Sequence, residues 1–157
     1  MPLFFKVLEL QEDNIMLTQS ICLDGLRLLV VDDDADTREI LTFLFEMEGA
    51  EIKSVGSANE ALELISNFKP DILISDIHLP DEDGCSLLPK VRNLEVEKGR
   101  WIPAIALTGS VMEEDRAEAF SAGFQKYLCK PINLDELISV VANLARGNLF
   151  AGSLQTC

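Results

Sequence analysis

Basic residues are scarce in this chain: 13 lysines and arginines stand against 27 aspartates and glutamates, a formal charge of −14 over 157 residues. So few cations cannot neutralise a phosphate backbone, which argues against nucleic-acid binding. Partner surfaces are expected to be basic or neutral instead. Histidine occurs once, at His78, and Cys22, Cys85, Cys129 and Cys157 include no CxxC spacing. That leaves no donor set for zinc and reads as idle thiols in a reducing compartment. Long apolar runs are missing too. The N-terminal Leu3-Phe4-Phe5 is broken by Lys6 and Glu9, too short and too charged for a secretory signal or a membrane span. A cytoplasmic protein with no membrane partner follows by elimination. What remains is 48% hydrophobic and 25% charged residues, which suits one folded domain and is too short for two ordinary ones.

Residues 1–24 mix polar and apolar types without a sustained period and are read as an N-terminal extension. From Gly25 strand and helix patterns alternate five times. Expected strands are 27–31, 51–55, 72–75, 104–107 and 126–129; expected helices are 36–48, 57–68, 85–96, 113–122 and 133–147. The first helix has Ile40, Leu41, Leu44, Phe45 and Met47 as its apolar stripe and Gly49 at its end. Ser57 with Glu60 predicts a capping box, as does the Asn133 and Glu136 pair. The last helix would bury Leu134, Leu137, Ile138, Val141 and Leu144 and stop at Gly147, leaving 148–157 as a tail. Pro89 implies a late start, a kink or a tight first turn in the third helix. Five βα units imply a doubly wound parallel α/β sheet with helices on both faces and right-handed crossovers. The flavodoxin-like strand order 2-1-3-4-5 is the expected one.

Four strands end in groups that carry chemistry. Leu28-Leu29-Val30-Val31 leads into Asp32-Asp33, Ile72-Leu73-Ile74-Ser75 into Asp76, Ala104-Ile105-Ala106-Leu107 into Thr108, and Tyr127-Leu128-Cys129 into Lys130-Pro131. Strand carboxyl ends form the functional edge of an open α/β sheet, so these groups converge. Carboxylates about 4 Å apart repel by roughly 4 kcal/mol at an effective dielectric of 20. Either a proton or a cation must offset that. Magnesium suits the site, with Asp33 and Asp76 ligating directly and Asp32 through water. Lys130 would pair with a carboxylate or with a phosphoryl oxygen.

The segments Leu29-Val30-Val31-Asp32-Asp33-Asp34, Ile74-Ser75-Asp76-Ile77-His78-Leu79-Pro80, Asp83-Gly84, Ala106-Leu107-Thr108-Gly109 and Tyr127-Leu128-Cys129-Lys130-Pro131 together resemble the motif set of response regulator receiver domains. The likeness covers residues 25–147. Leu23-Asp24-Gly25-Leu26 and Ile102-Pro103-Ala104-Ile105 are most similar to receivers associated with hybrid sensor kinases. The resemblance implies that Asp76 accepts a phosphoryl group from a phosphohistidine. It implies Mg2+ held by Asp32, Asp33, Asp76 and the backbone carbonyl of His78, and a phosphoryl group bound by Thr108 and Lys130. A cis bond at Lys130-Pro131 is expected with it. Tyr127 matches the aromatic that turns inward as the threonine moves; it also suits plain packing at a strand edge. His78 and Ser110 flank the path of hydrolytic water and would tune phosphoryl lifetime, or the His78 side chain simply faces solvent.

A stand-alone phosphorylatable switch in two-component phosphorelay signalling is therefore the expectation. Its partners would be a histidine kinase or histidine phosphotransfer domain and an unknown downstream protein. Output would pass through residues 112–146, a face that also offers a route to a homodimer. The alternative is a docking receiver that never uses phosphorylation, which the intact pocket argues against. A phosphohydrolase would need a second carboxylate where His78 stands, so no enzyme acting on outside substrates is expected.

Overall fold

The computed structural model describes residues 22–98, 101–109 and 112–150. Strands β1 (Arg27–Val31), β2 (Glu51–Val55), β3 (Ile72–Asp76), β4 (Ala104–Thr108) and β5 (Lys126–Cys129) alternate with five helices. These are α1 (Ala35–Met47), α2 (Ala58–Phe68), α3 (Gly84–Lys98), α4 (Glu113–Ala122) and α5 (Leu134–Phe150). All strand pairs are parallel and the order is β2-β1-β3-β4-β5, the flavodoxin-like arrangement that the alternating pattern implied.

The three central strands are buried on both faces, which is why they read as unbroken apolar runs. Their side chains alternate between two cores. Leu28, Val30, Ile72, Ile74, Ile105 and Leu107 pack against Leu41 and Phe45 of α1 and Leu137, Ile138 and Val141 of α5. Leu29, Val31, Leu73, Ala104 and Ala106 meet Ala61 and Ile65 of α2, Leu87, Leu88 and Val91 of α3, and Ala119 of α4. Leu23 lies in the first core, ahead of Gly25.

Several sequence expectations need correction. Ile40 and Leu134, both assigned to buried stripes, are exposed. Helix α3 starts at Gly84, one residue before the expected start, with Pro89 inside it. Asp83 caps it, its carboxylate accepting the Ser86 amide at 2.7 Å and its carbonyl the Leu87 amide at 3.1 Å. Proline in the second turn then costs one hydrogen bond, the one to the Cys85 carbonyl, and the helix continues. Gly147 does not end α5, which runs on to Phe150; positive φ occurs at Gly25, Gly49 and Gly123 but not there. In the α2 cap Ser57 Oγ accepts the Glu60 amide at 3.3 Å, yet Glu60 Oε1 takes the Gly56 amide at 3.1 Å, not that of Ser57. Cys85 and Cys129 are thiols, whereas Cys22 is disulfide-bonded, so idle thiols throughout no longer hold. Among the described residues no helix is long and apolar enough to cross a membrane.

Candidate functional site

The carboxyl ends of β1, β3, β4 and β5 meet at one edge of the sheet, because parallel strands in this order point the same way. Asp32 and Asp76 are buried there, 1% and 7% exposed, while Asp33 is exposed. Carboxylate oxygens of Asp32, Asp33 and Asp76 lie within 4.8 Å of one another. Lys130 Nζ reaches over them from the end of β5, 2.8 Å from Asp32 Oδ2 and 3.0 Å from Asp76 Oδ2. The contact with Asp76 is a hydrogen bond. That with Asp32 is an ion pair lacking hydrogen-bond direction, so the buried Oδ2 has no hydrogen-bond donor. Burial alone would lower the Lys130 pKa; the two carboxylates outweigh it and hold the ammonium above its ordinary value.

Local hydrogen bonds fix each group. Asp32 Oδ1 accepts the Asp34 amide at 2.9 Å, and the Asp32 amide donates to Val55 O at 3.0 Å. Asp76 Oδ1 accepts the His78 amide at 2.9 Å, and Ser75 Oγ donates to the Asp76 carbonyl at 2.8 Å. The Lys130 amide donates to Thr108 O at 2.7 Å, carrying the β4–β5 ladder one step past the strand end. The Lys130-Pro131 bond is cis, as expected. Thr108 is fully buried, and Tyr127 is buried with its ring 6.5 Å from that of Phe120. The His78 side chain is exposed, and Ser110 lies outside the described residues.

Three further residues shape the site without having been singled out for it. Arg38 Nη1 donates to the Asp32 carbonyl at 2.7 Å, steadying the acidic turn from α1. Gly84 packs against the end of β3 so closely that a Cβ would sit 2.6 Å from the Asp76 carbonyl oxygen. Asp83-Gly84 is visible as a motif, but only the fold reveals why its glycine is needed. Asp81 accepts the Ala58 and Asn59 amides at 3.0 and 2.9 Å, tying the loop after β3 to the start of α2. Those backbone hydrogen bonds hold its carboxyl below the usual 3.8. The three carboxylates offer hard oxygen donors for a divalent cation, with the Lys130 ammonium beside them.

Comparison with known proteins agrees with this architecture. The family model for the response regulator receiver domain matches residues 28–142. An uncharacterized 14.6 kDa protein in the sodA1 3′ region of Leptolyngbya boryana is 47% identical over 114 residues, covering 73% of this chain and 86% of that one. The virulence transcriptional regulatory protein PhoP of Shigella flexneri is 34% identical across 78% of this chain, which spans only 53% of its length. The solved CheY-like receiver domain protein of Methanospirillum hungatei superposes with a TM-score of 0.74 at 29% identity, over 82% of this chain and 100% of that one. The chain belongs to the response regulator receiver domain family.

Proposed function

We propose that this chain, with residues 25–147 as its switching unit, accepts a phosphoryl group from a phosphohistidine onto Asp76. The observation that carries the reading is the Lys130 ammonium bridging Asp32 and Asp76 above three convergent carboxylates. Asp76 carries the lysine hydrogen-bonded to one carboxylate oxygen and a backbone amide on the other. In the transfer a carboxylate oxygen of Asp76 bonds to phosphorus while the bond from phosphorus to the donor imidazole nitrogen breaks. The nitrogen leaves with the electron pair and takes up a proton. Thr108 and Lys130 then bind the oxygens of the acyl phosphate, Lys130 exchanging one carboxylate partner for the phosphoryl group.

The donor set fits Mg2+. Asp32, Asp33 and Asp76 supply the carboxylates, the undirected Asp32 Oδ2 is open to a further partner, and the His78 carbonyl is the proposed fourth ligand. Held by these residues, Mg2+ would supply positive charge to offset that of the phosphoryl oxygens. The donor would be a histidine kinase or a histidine phosphotransfer domain in the cytoplasm. The output would be a protein contact on residues 112–146, where Tyr127 packs among Phe120 and Arg116. Incubation with a small phosphodonor tests the assignment by intact mass. One phosphoryl group should appear only with Mg2+ and vanish in Asp76→Asn; labelling that survives either change contradicts it.

A further inference from the structure

We propose that Arg38 is a positioning residue for the acidic site: through the Asp32 carbonyl it sets the direction of the Asp33 carboxylate, and with it the affinity for Mg2+. That role rests on the reading of Asp32, Asp33 and Asp76 as Mg2+ ligands. Two of the three acids are held by their own oxygens. Asp32 Oδ1 accepts the Asp34 amide at 2.9 Å, and its Oδ2 lies 2.8 Å from Lys130 Nζ. Asp76 Oδ1 accepts the His78 amide at 2.9 Å and its Oδ2 the lysine at 3.0 Å. Asp33 differs. Its side chain is exposed, and no group among the described residues donates a hydrogen bond to its carboxylate. It nevertheless brings an oxygen within 4.8 Å of the other two acids.

The backbone on either side of Asp33 must therefore supply the direction. Its Cα is shared by two planar peptide groups, and pinning both planes fixes where the Cβ points. The following plane is pinned at the Asp34 amide, which donates to Asp32 Oδ1. The preceding plane is pinned at the Asp32 carbonyl, which accepts Arg38 Nη1 at 2.7 Å. The base of that arm is firm. Arg38 stands three and seven residues before the fully buried Leu41 and Phe45, on the core face of α1. The turn after β2 walls in the guanidinium from another side: a Cβ on Gly56 would sit 3.2 Å from Nη1. The Gly56 amide is itself tied to Glu60 Oε1 at 3.1 Å.

Charge and position give opposite signs here. Among the described residues the Arg38 guanidinium forms no ion pair, so it stands as an uncompensated cation close to the acids. A fixed cation repels an incoming one, so removing Arg38 for its charge alone would tighten Mg2+. Removing the bond to the Asp32 carbonyl frees the plane that aims Asp33, and weakens Mg2+. Groups that orient a metal ligand contribute about tenfold or more in affinity, enough to outweigh the repulsion of a part-exposed guanidinium.

Titration of the full chain with Mg2+, read from backbone amide shifts at the ends of β1 and β3, tests this in the parent, Arg38→Met and Arg38→Gln. Both substitutions remove charge and keep part of the stem. Each should weaken Mg2+ by about tenfold, with melting in the absence of metal showing the variant folded at the titration temperature. Against an Asp33→Asn background Arg38→Met should cost less than about twofold, because the ligand it orients is gone. Equal or tighter Mg2+ binding by the Arg38 variants overturns the role. So does a lower melting temperature with unchanged affinity, the mark of a brace that serves only the fold. An equal loss in the parent and Asp33→Asn backgrounds would place the effect at Asp32 and overturn it as well. A parent that binds no Mg2+ would overturn the metal reading and this role with it, whereas a parent that binds beside indifferent Arg38 variants overturns the role alone.

Discussion

Lys130 is placed where a single side chain governs two others. Its ammonium touches one oxygen of each buried carboxylate, and neither Asp32 nor Asp76 has much water to replace it. Substitution by methionine removes the cation and keeps the stem, leaving like charges facing each other. Without Mg2+ at pH 7, Lys130→Met should cost about 1–2 kcal/mol, the low end for a broken pair because the lysine is partly exposed. The sign with pH follows from the raised pKa. The contribution of Lys130 is fully present below its ordinary 10.5 and is lost as pH climbs through the raised value. Thermal melts should therefore separate parent and variant at pH 7 and converge on the alkaline side; a gap that widens above pH 10.5 contradicts the pairing. The acids, the threonine and the lysine were legible because each ends an apolar run. Arg38 was not, because its partner is a backbone carbonyl, which no sequence pattern marks.

Among the elements, the start of α2 shows how the fold holds the loop after Asp76. Ser57, Glu60 and Asp81 together satisfy the amides of Gly56, Ala58, Asn59 and Glu60. Asp81 does so from more than 20 residues away, and the Gly84 amide closes the loop on the Ile77 carbonyl at 2.8 Å. Replacing Asp81 by asparagine should lower the melting temperature at neutral pH. Because folding depresses this carboxyl, its contribution is present above the ordinary 3.8 and lost as pH falls through the lower folded value. Melts of Asp81→Asn and parent should thus differ at pH 7 and converge in acid; equal melting at pH 7 would show the tie to be idle. Strands and most helices were readable because a parallel sheet buried on both faces leaves no polar interruption. The misses have local causes. Asp76 and Thr108 pair as strand although their chemistry reads as loop. Ile40 and Leu134 carry the right residue type at positions the core does not reach.

At the scale of the molecule, the sheet gathers a site from four distant segments, and only the strand order brings them together. Thr108 and Lys130 belong to β4 and to the end of β5, and these lead on into α4 and α5. A change at the site is therefore expected to reach residues 112–146. Amide exchange with and without a stable phosphoryl mimic should alter protection there by about threefold or more, with α2 unaffected. Changes confined to α2 and β2 would contradict that route. The motif set announced the family. The central claim is that Asp76 forms an acyl phosphate. Borohydride reduction after incubation with a phosphodonor and Mg2+ converts such a residue to homoserine, which peptide sequencing locates. Homoserine at position 76 alone, and only when Mg2+ was present, is the predicted result; homoserine at position 32 or 33, or none anywhere despite a mass gain, would contradict it.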